Sequence, residues 1–175
     1  MDNDEGVVDY AERYRMAETK RFMIELAHGP FEVTKKTGLE IAAKVKFRHF
    51  KPVELAIARE FITKAILEGV YYFDVYLLTE KAKKIISETP ELNWKIAVPW
   101  MYRIDAVCYT FDAVWIIEFK ERVSMYAIGE LLGYKGMFIK QYEPKKEVRL
   151  MLVAKYDEPE VHPVLREHNI RLVVL

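Results

Sequence analysis

Apolar and polar residues follow two different periods along this chain, and the change falls close to residue 69. Residues 8–26 are rich in charge, with apolar Tyr14, Met16, Phe22, Met23 and Leu26, which predicts a helix; His28-Gly29-Pro30 reads as its stop. A basic stretch, 35–50, is expected to be partly helical. Pro52 suits the first turn of another helix, running to about residue 68 and ended by Gly69. From there the pattern turns aromatic and β-branched: 70–79 predicts a strand and 80–88 a short helix or turn. Residues 94–109 and 113–120 predict two strands around a turn at Thr110-Phe111-Asp112. A helix over 124–141, a strand over 148–154, a short helix over 159–168 and a closing strand over 170–175 complete the series.

From Pro52 onward the main elements run helix, three strands, helix, strand, helix, strand. That order predicts an α/β architecture with a mixed central sheet flanked by helices. No repeat, low-complexity tract or Pro/Ser-rich linker interrupts the chain. The expected organisation is a domain over 52–175 preceded by a helical, locally basic extension over 1–51.

Composition narrows the function classes. Length 175 suits one domain, long enough to bury roughly 70% of its unfolded surface without a disulfide or metal staple. Lys plus Arg and Asp plus Glu each number 27, so a polybasic coat protein is excluded and an anionic partner must meet a local patch. Cys108 is the only cysteine, which removes internal disulfides and Cys-based zinc sites and predicts a reducing, cytoplasmic compartment. No run free of Asp, Glu, Lys and Arg exceeds seven residues, so no membrane span is expected, and the acidic start is not that of a secretory signal. One glutamine and three asparagines beside abundant ionic residues match the composition of proteins from hot environments.

Candidate chemistry concentrates in Arg103-Ile104-Asp105-Ala106-Val107 and Trp115-Ile116-Ile117-Glu118-Phe119-Lys120. Residues i and i+2 of a strand share a face about 7 Å apart, so Glu118 and Lys120 are neighbours at the end of an apolar strand. Asp105, on the preceding strand of the hairpin, stands where it can face them. Two carboxylates brought together at a sheet end repel and lose hydration, and a divalent cation removes that cost. Mg²⁺ favours one or two carboxylates completed by water and phosphate oxygens. Lys120 could orient or deprotonate an attacking water or stabilise developing charge. The bland alternative is an ordinary cross-strand ion-pair cluster.

These residues resemble the PD-(D/E)XK nuclease superfamily: Asp105 followed by Glu118-Phe119-Lys120 as the E-x-K element, with Ile104 where the name-giving proline would stand. The resemblance covers roughly 52–175 and implies a restriction-endonuclease-like core in αβββαβ order. It also implies that Asp105, Glu118 and the backbone carbonyl of Phe119 hold Mg²⁺ or Mn²⁺ while Lys120 assists the water. Many members carry a Gln-x-x-x-Tyr pair after the E-x-K strand; the matching positions here are Glu130 and Tyr134, a carboxylate replacing the amide. In the archaeal Holliday-junction resolvases an upstream helical glutamate also binds metal. Glu54 and Glu60 are the candidates. Glu54 lies among the apolar positions of its helix, though a first-turn carboxylate is also favoured by capping.

Six positive residues, Lys35, Lys36, Lys44, Lys46, Arg48 and Lys51, face one acid, Glu40, across 35–51; this is the candidate DNA-contacting patch. Gly129, Gly133 and Gly136 cluster on one side of the 124–141 helix, which suits close helix–helix packing, within the chain or across a homodimer, or close approach of a DNA backbone. The four histidines lack ligand spacing, and no G-x-S-x-G, P-loop or G-x-G-x-x-G pattern is present. The resemblance therefore implies a Mg²⁺- or Mn²⁺-dependent DNA endonuclease of recombination or repair, selective for branched DNA such as Holliday junctions. A RecB-like exonuclease and an inactive DNA-binding protein of the same fold are the alternatives.

Overall fold

The structure, a computed structural model, describes residues 27–46, 49–88 and 96–175. Six strands form one mixed sheet in chain order: β1 (His28–Val33), β2 (Gly69–Leu77), β3 (Tyr102–Tyr109), β4 (Ala113–Arg122), β5 (Glu147–Tyr156) and β6 (Ile170–Val174). Strands β1 to β4 pair antiparallel, and β4, β5 and β6 pair parallel. Parallel neighbours need a crossover. The helices α4 (Met125–Tyr142) and α5 (His162–Glu167) supply the two, while α1 (Gly38–Lys44), α2 (Pro52–Thr63) and α3 (Glu80–Glu88) precede the β3–β4 hairpin.

Each sheet face buries one set of helices. Ile41, Ile57, Phe61 and Ile62 of α1 and α2 pack with Tyr71, Phe73, Phe119 and Val153. Ile128, Leu131 and Phe138 of α4 pack on Ile116, Leu150 and Leu152 on the other face. Each such side chain contributes about 1.5–3 kcal/mol when fully buried. Ser124 caps α4, its hydroxyl accepting the Ala127 N–H at 3.2 Å, and Glu143 closes the helix in the left-handed conformation at φ 48°.

The α/β class, the mixed sheet and the hairpin turn at residues 110–112 agree with expectation. Three segments differ. The expected helical extension over 1–51 is not the arrangement of 28–46: β1 is an edge strand on β2, and α1 packs on α2, with Val33, Ile41, Ala42 and Val45 buried in the same cluster as Phe61. A division at 51/52 would thus cut a continuous core. His28-Gly29-Pro30 looked like a helix stop because Gly and Pro punctuate chains, but here they open a strand at the sheet edge, where a missing N–H is tolerated. Residues 96–101 are not strand either: Val98–Trp100 is a 3₁₀ turn with Pro99 in its first positions, so β3 begins only at Tyr102. The predicted helix at 8–26 lies outside the described residues.

Asp74 interrupts β2. Its φ of 54° is left-handed, a conformation aspartate tolerates better than most side chains. Phe73 pairs with Ala106 and Val75 with Ile104, which sets Asp74 level with Asp105. Strict alternation would keep residues 71, 73, 75 and 77 on one face. Instead Tyr71 and Phe73 pack on the α2 side and Val75 and Leu77 on the α4 side. The same reversal occurs on β3, where Ala106 and Cys108 pack on the α2 side and Ile104 on the α4 side. Both strands roll over at the level of Asp74 and Asp105.

Candidate active site

The site lies where the β3–β4 ladder gives way to side chains. Its last paired residues toward this end are Ala106 and Ile117. Beyond them, the Asp105 N–H donates to Glu118 Oε1 at 3.1 Å and the Phe119 N–H donates to Asp105 Oδ2 at 2.9 Å. Two carboxylates therefore accept the amide hydrogens that carbonyls accept elsewhere in a ladder. Glu118 is buried, at 1% exposure, while Asp105 keeps some access to solvent.

Burial dominates the electrostatics. It pushes the Asp105 carboxyl up to about 6, against the pull of Lys120 and the Phe119 N–H, and Glu54 pushes the same way as burial. Burial, then the neighbouring Asp105 charge, holds Glu118 well above the usual carboxylate range. Lys120 Nζ sits 3.0 Å from Glu118 Oε2 and 2.8 Å from Glu130 Oε2. Burial works against its charge, but Glu118, Asp105 and Glu130 outweigh it and raise the ammonium pKa. Lys120 is thus a cation at neutral pH, able to donate hydrogen bonds but not to take a proton from water.

Glu130 and Tyr134 belong to this cluster through Lys120. The Tyr134 hydroxyl donates to Glu130 Oε1 at 3.4 Å. Burial first, then Glu118 and Glu130, raise the Tyr134 pKa, so it stays a protonated phenol. Glu130 fixes the ammonium from the α4 side. Of the two upstream glutamates, the structure brings Glu54 near Asp105, where its charge is felt. Glu54 Oε2 also accepts the Lys51 N–H at 3.2 Å, the capping role its first-turn position predicts. Glu60 is turned outward in an exposed pair with Lys64 and has no part in the site.

Lys51 stands at the N-terminal end of α2, beside Glu54. Lys35, Lys36 and Lys46 are exposed, and Lys44 is engaged with Glu40 across one helical turn. Arg48 lies outside the described residues. Among the described residues, nothing beyond the helix's own backbone lies within 4 Å of where a Cβ would sit at Gly129, Gly133 or Gly136 of α4.

Sequence reasoning missed Asp74. It is 5% exposed, and its Oδ1 lies 3.4 Å from Arg103 Nε across the strands. The available signal was a lone acid inside the aromatic run Val70-Tyr71-Tyr72-Phe73-Asp74-Val75. Asp74→Ala is expected to destabilise the fold by more than Asp74→Gly. Both lose the ion pair, but only glycine adopts the left-handed backbone freely, a difference of about 1 kcal/mol. Chemical denaturation of the two variants measures it.

Among the described residues no three His, Cys, Asp or Glu side chains are grouped to hold a metal ion unaided. The donor set still fits Mg²⁺, an ion content with one or two carboxylates and several waters. Burial disfavours the ionised form of both Asp105 and Glu118, and a bound cation would supply the positive charge that lets both ionise. No family model, curated protein or solved structure matches the chain. Among the described residues no helix is long and apolar enough to cross a membrane.

Proposed function

We propose that the protein is a Mg²⁺- or Mn²⁺-dependent nuclease of the PD-(D/E)XK type that hydrolyses phosphodiester bonds in DNA. The observation that carries this is the reciprocal Asp105–Glu118 exchange at the open end of the β3–β4 ladder, with Lys120 ion-paired beside it. Two desolvated carboxylates and a cationic lysine are costly as a mere ion-pair cluster, and metal-assisted phosphoryl chemistry has a use for all three. The sheet and helix order from α2 to β5 also accommodates a restriction-endonuclease-like core.

Asp105, Glu118 and the Phe119 carbonyl would hold the cation, which when bound supplies charge to a phosphate oxygen and acidifies a water. Asp105 is the more accessible acid of the pair and Glu118 the buried one. Lys120, kept charged by Glu118 and Glu130, donates a hydrogen bond to the attacking water or to the oxygen that gains charge. Tyr134 keeps Glu130, and through it the ammonium, in place. Glu54, whose charge is felt at Asp105, is the upstream acid that would support the cation site.

The test is a cleavage assay on four-way-junction, flapped, linear duplex and single-stranded DNA with Mg²⁺, Mn²⁺ or EDTA. Cleavage that needs the metal is expected, with branched DNA preferred if the resolvase likeness extends to substrate. Digestion from free ends alone would make the enzyme an exonuclease. No cleavage of any substrate with either metal would overturn the nuclease proposal.

A further inference from the structure

We propose that this site takes a nucleic-acid strand with unpaired bases, which stack on the exposed rings of Tyr102 and Tyr126 to either side of the phosphate at Lys120. The proposal rests on the phosphodiesterase reading above and names its substrate class. Tyr126, Glu130 and Tyr134 are successive members of one i,i+4 row on α4, each step about 6 Å. The Tyr102 ring extends that row from β3, its centroid 6.1 Å from that of Tyr134. Lys120 meets the row in its middle, at Glu130. The two outer rings are the open ones: Tyr126 is 75% exposed and Tyr102 52%.

A lone exposed aromatic needs no explanation, but two in line with the reactive cluster, one at each end, form a track a few nucleotides long. Base–aromatic stacking is indifferent to sequence because every base has a π-face, and in a duplex those faces are already covered by neighbouring pairs. The track therefore favours single strands or bases splayed at a junction. Nothing in the described chain covers it: Gly129 and Gly133, beside the row, face open space.

Fluorescence anisotropy of the full chain in EDTA, where no metal-dependent cleavage occurs, separates stacking from catalysis. The probes are a labelled thymidine 20-mer, a duplex of that length and an abasic 20-mer of equal charge. The thymidine strand is expected to bind at least tenfold tighter than the other two. Tyr102→Ala and Tyr126→Ala are each expected to weaken it by about 5–100-fold while leaving the abasic strand unchanged. Tyr102→Trp and Tyr126→Phe are expected to retain it. Equal affinity for the abasic strand, unchanged affinity in the alanine variants, or no binding of the thymidine strand would each overturn stacking. A chain that binds this way yet never cuts with Mg²⁺ or Mn²⁺ would overturn the nuclease reading alone.

Discussion

Asp105→Asn is expected to abolish cleavage and, in the absence of metal, to raise the melting temperature. The activity loss should exceed ~10³-fold, because the residue supplies one of two carboxylates for the cation. The stability gain follows from the sign of the Asp105 shift. Its carboxyl is pushed up to about 6, above the 3.8 of an unperturbed aspartate. Between those values the folded chain keeps a proton that the unfolded chain has released, so stability falls as pH rises through that window. Above it the ionised Asp105 is a full liability, which asparagine removes while still accepting the Phe119 N–H. At pH 7.5 the gain should be on the order of 5 °C in EDTA. Mg²⁺ should raise the melting temperature of the wild type at this pH and leave the variant unmoved. Calorimetry from pH 5 to 8, with and without Mg²⁺, checks both; a variant less stable than wild type throughout would contradict the account.

Lys120→Met should do the opposite to stability. Its raised pKa means that the ammonium stabilises the fold at every pH below its unfolded value of about 10.5, and methionine forfeits that contribution. Glu118 would then sit buried with no counter-charge, and breaking such a pair costs about 3–5 kcal/mol. Glu118 already holds its proton more tightly than usual, so the loss should be largest near pH 8 and shrink toward pH 5 as the carboxyl is neutralised. Cleavage should fall by about 10²–10³-fold, the effect of removing one donor aimed at developing charge. Urea denaturation at pH 5 and pH 8, beside initial rates with excess Mg²⁺, measures the two effects independently.

The hairpin was legible in the sequence because its constraints are local. Alternation fixes which residues of 113–120 share a face, and a three-residue turn sets Asp105 across from Glu118. Glu130 and Tyr134 came from the family resemblance, and helical spacing put them on one face, though their attachment to Lys120 depended on how α4 lies across β4. Other features were fixed by tertiary context. β1 carries strong turn residues and an exposed, irregular burial pattern, so only its pairing with β2 makes it a strand. The choice between Glu54 and Glu60 turned on helix rotation, which a wheel drawn over residues 52–68 gives only coarsely. Asp74 was hidden for a deeper reason: its left-handed backbone reverses the faces of β2, and the alternation used to find strands presumes no such reversal.

Asp105 and Glu118 hang from one hairpin whose turn is locked by Thr110, its N–H donating to the Ala113 carbonyl at 2.9 Å. Closing so short a loop costs little chain entropy, and pairings of this kind form early and locally in folding. The spacing of the two acids is therefore insulated from the sheet margins. Insertions, truncations or fusions at β1 or β6 would change how long the protein survives heating while leaving the gap between the carboxylates as it is, which makes those margins the natural attachment points for engineering.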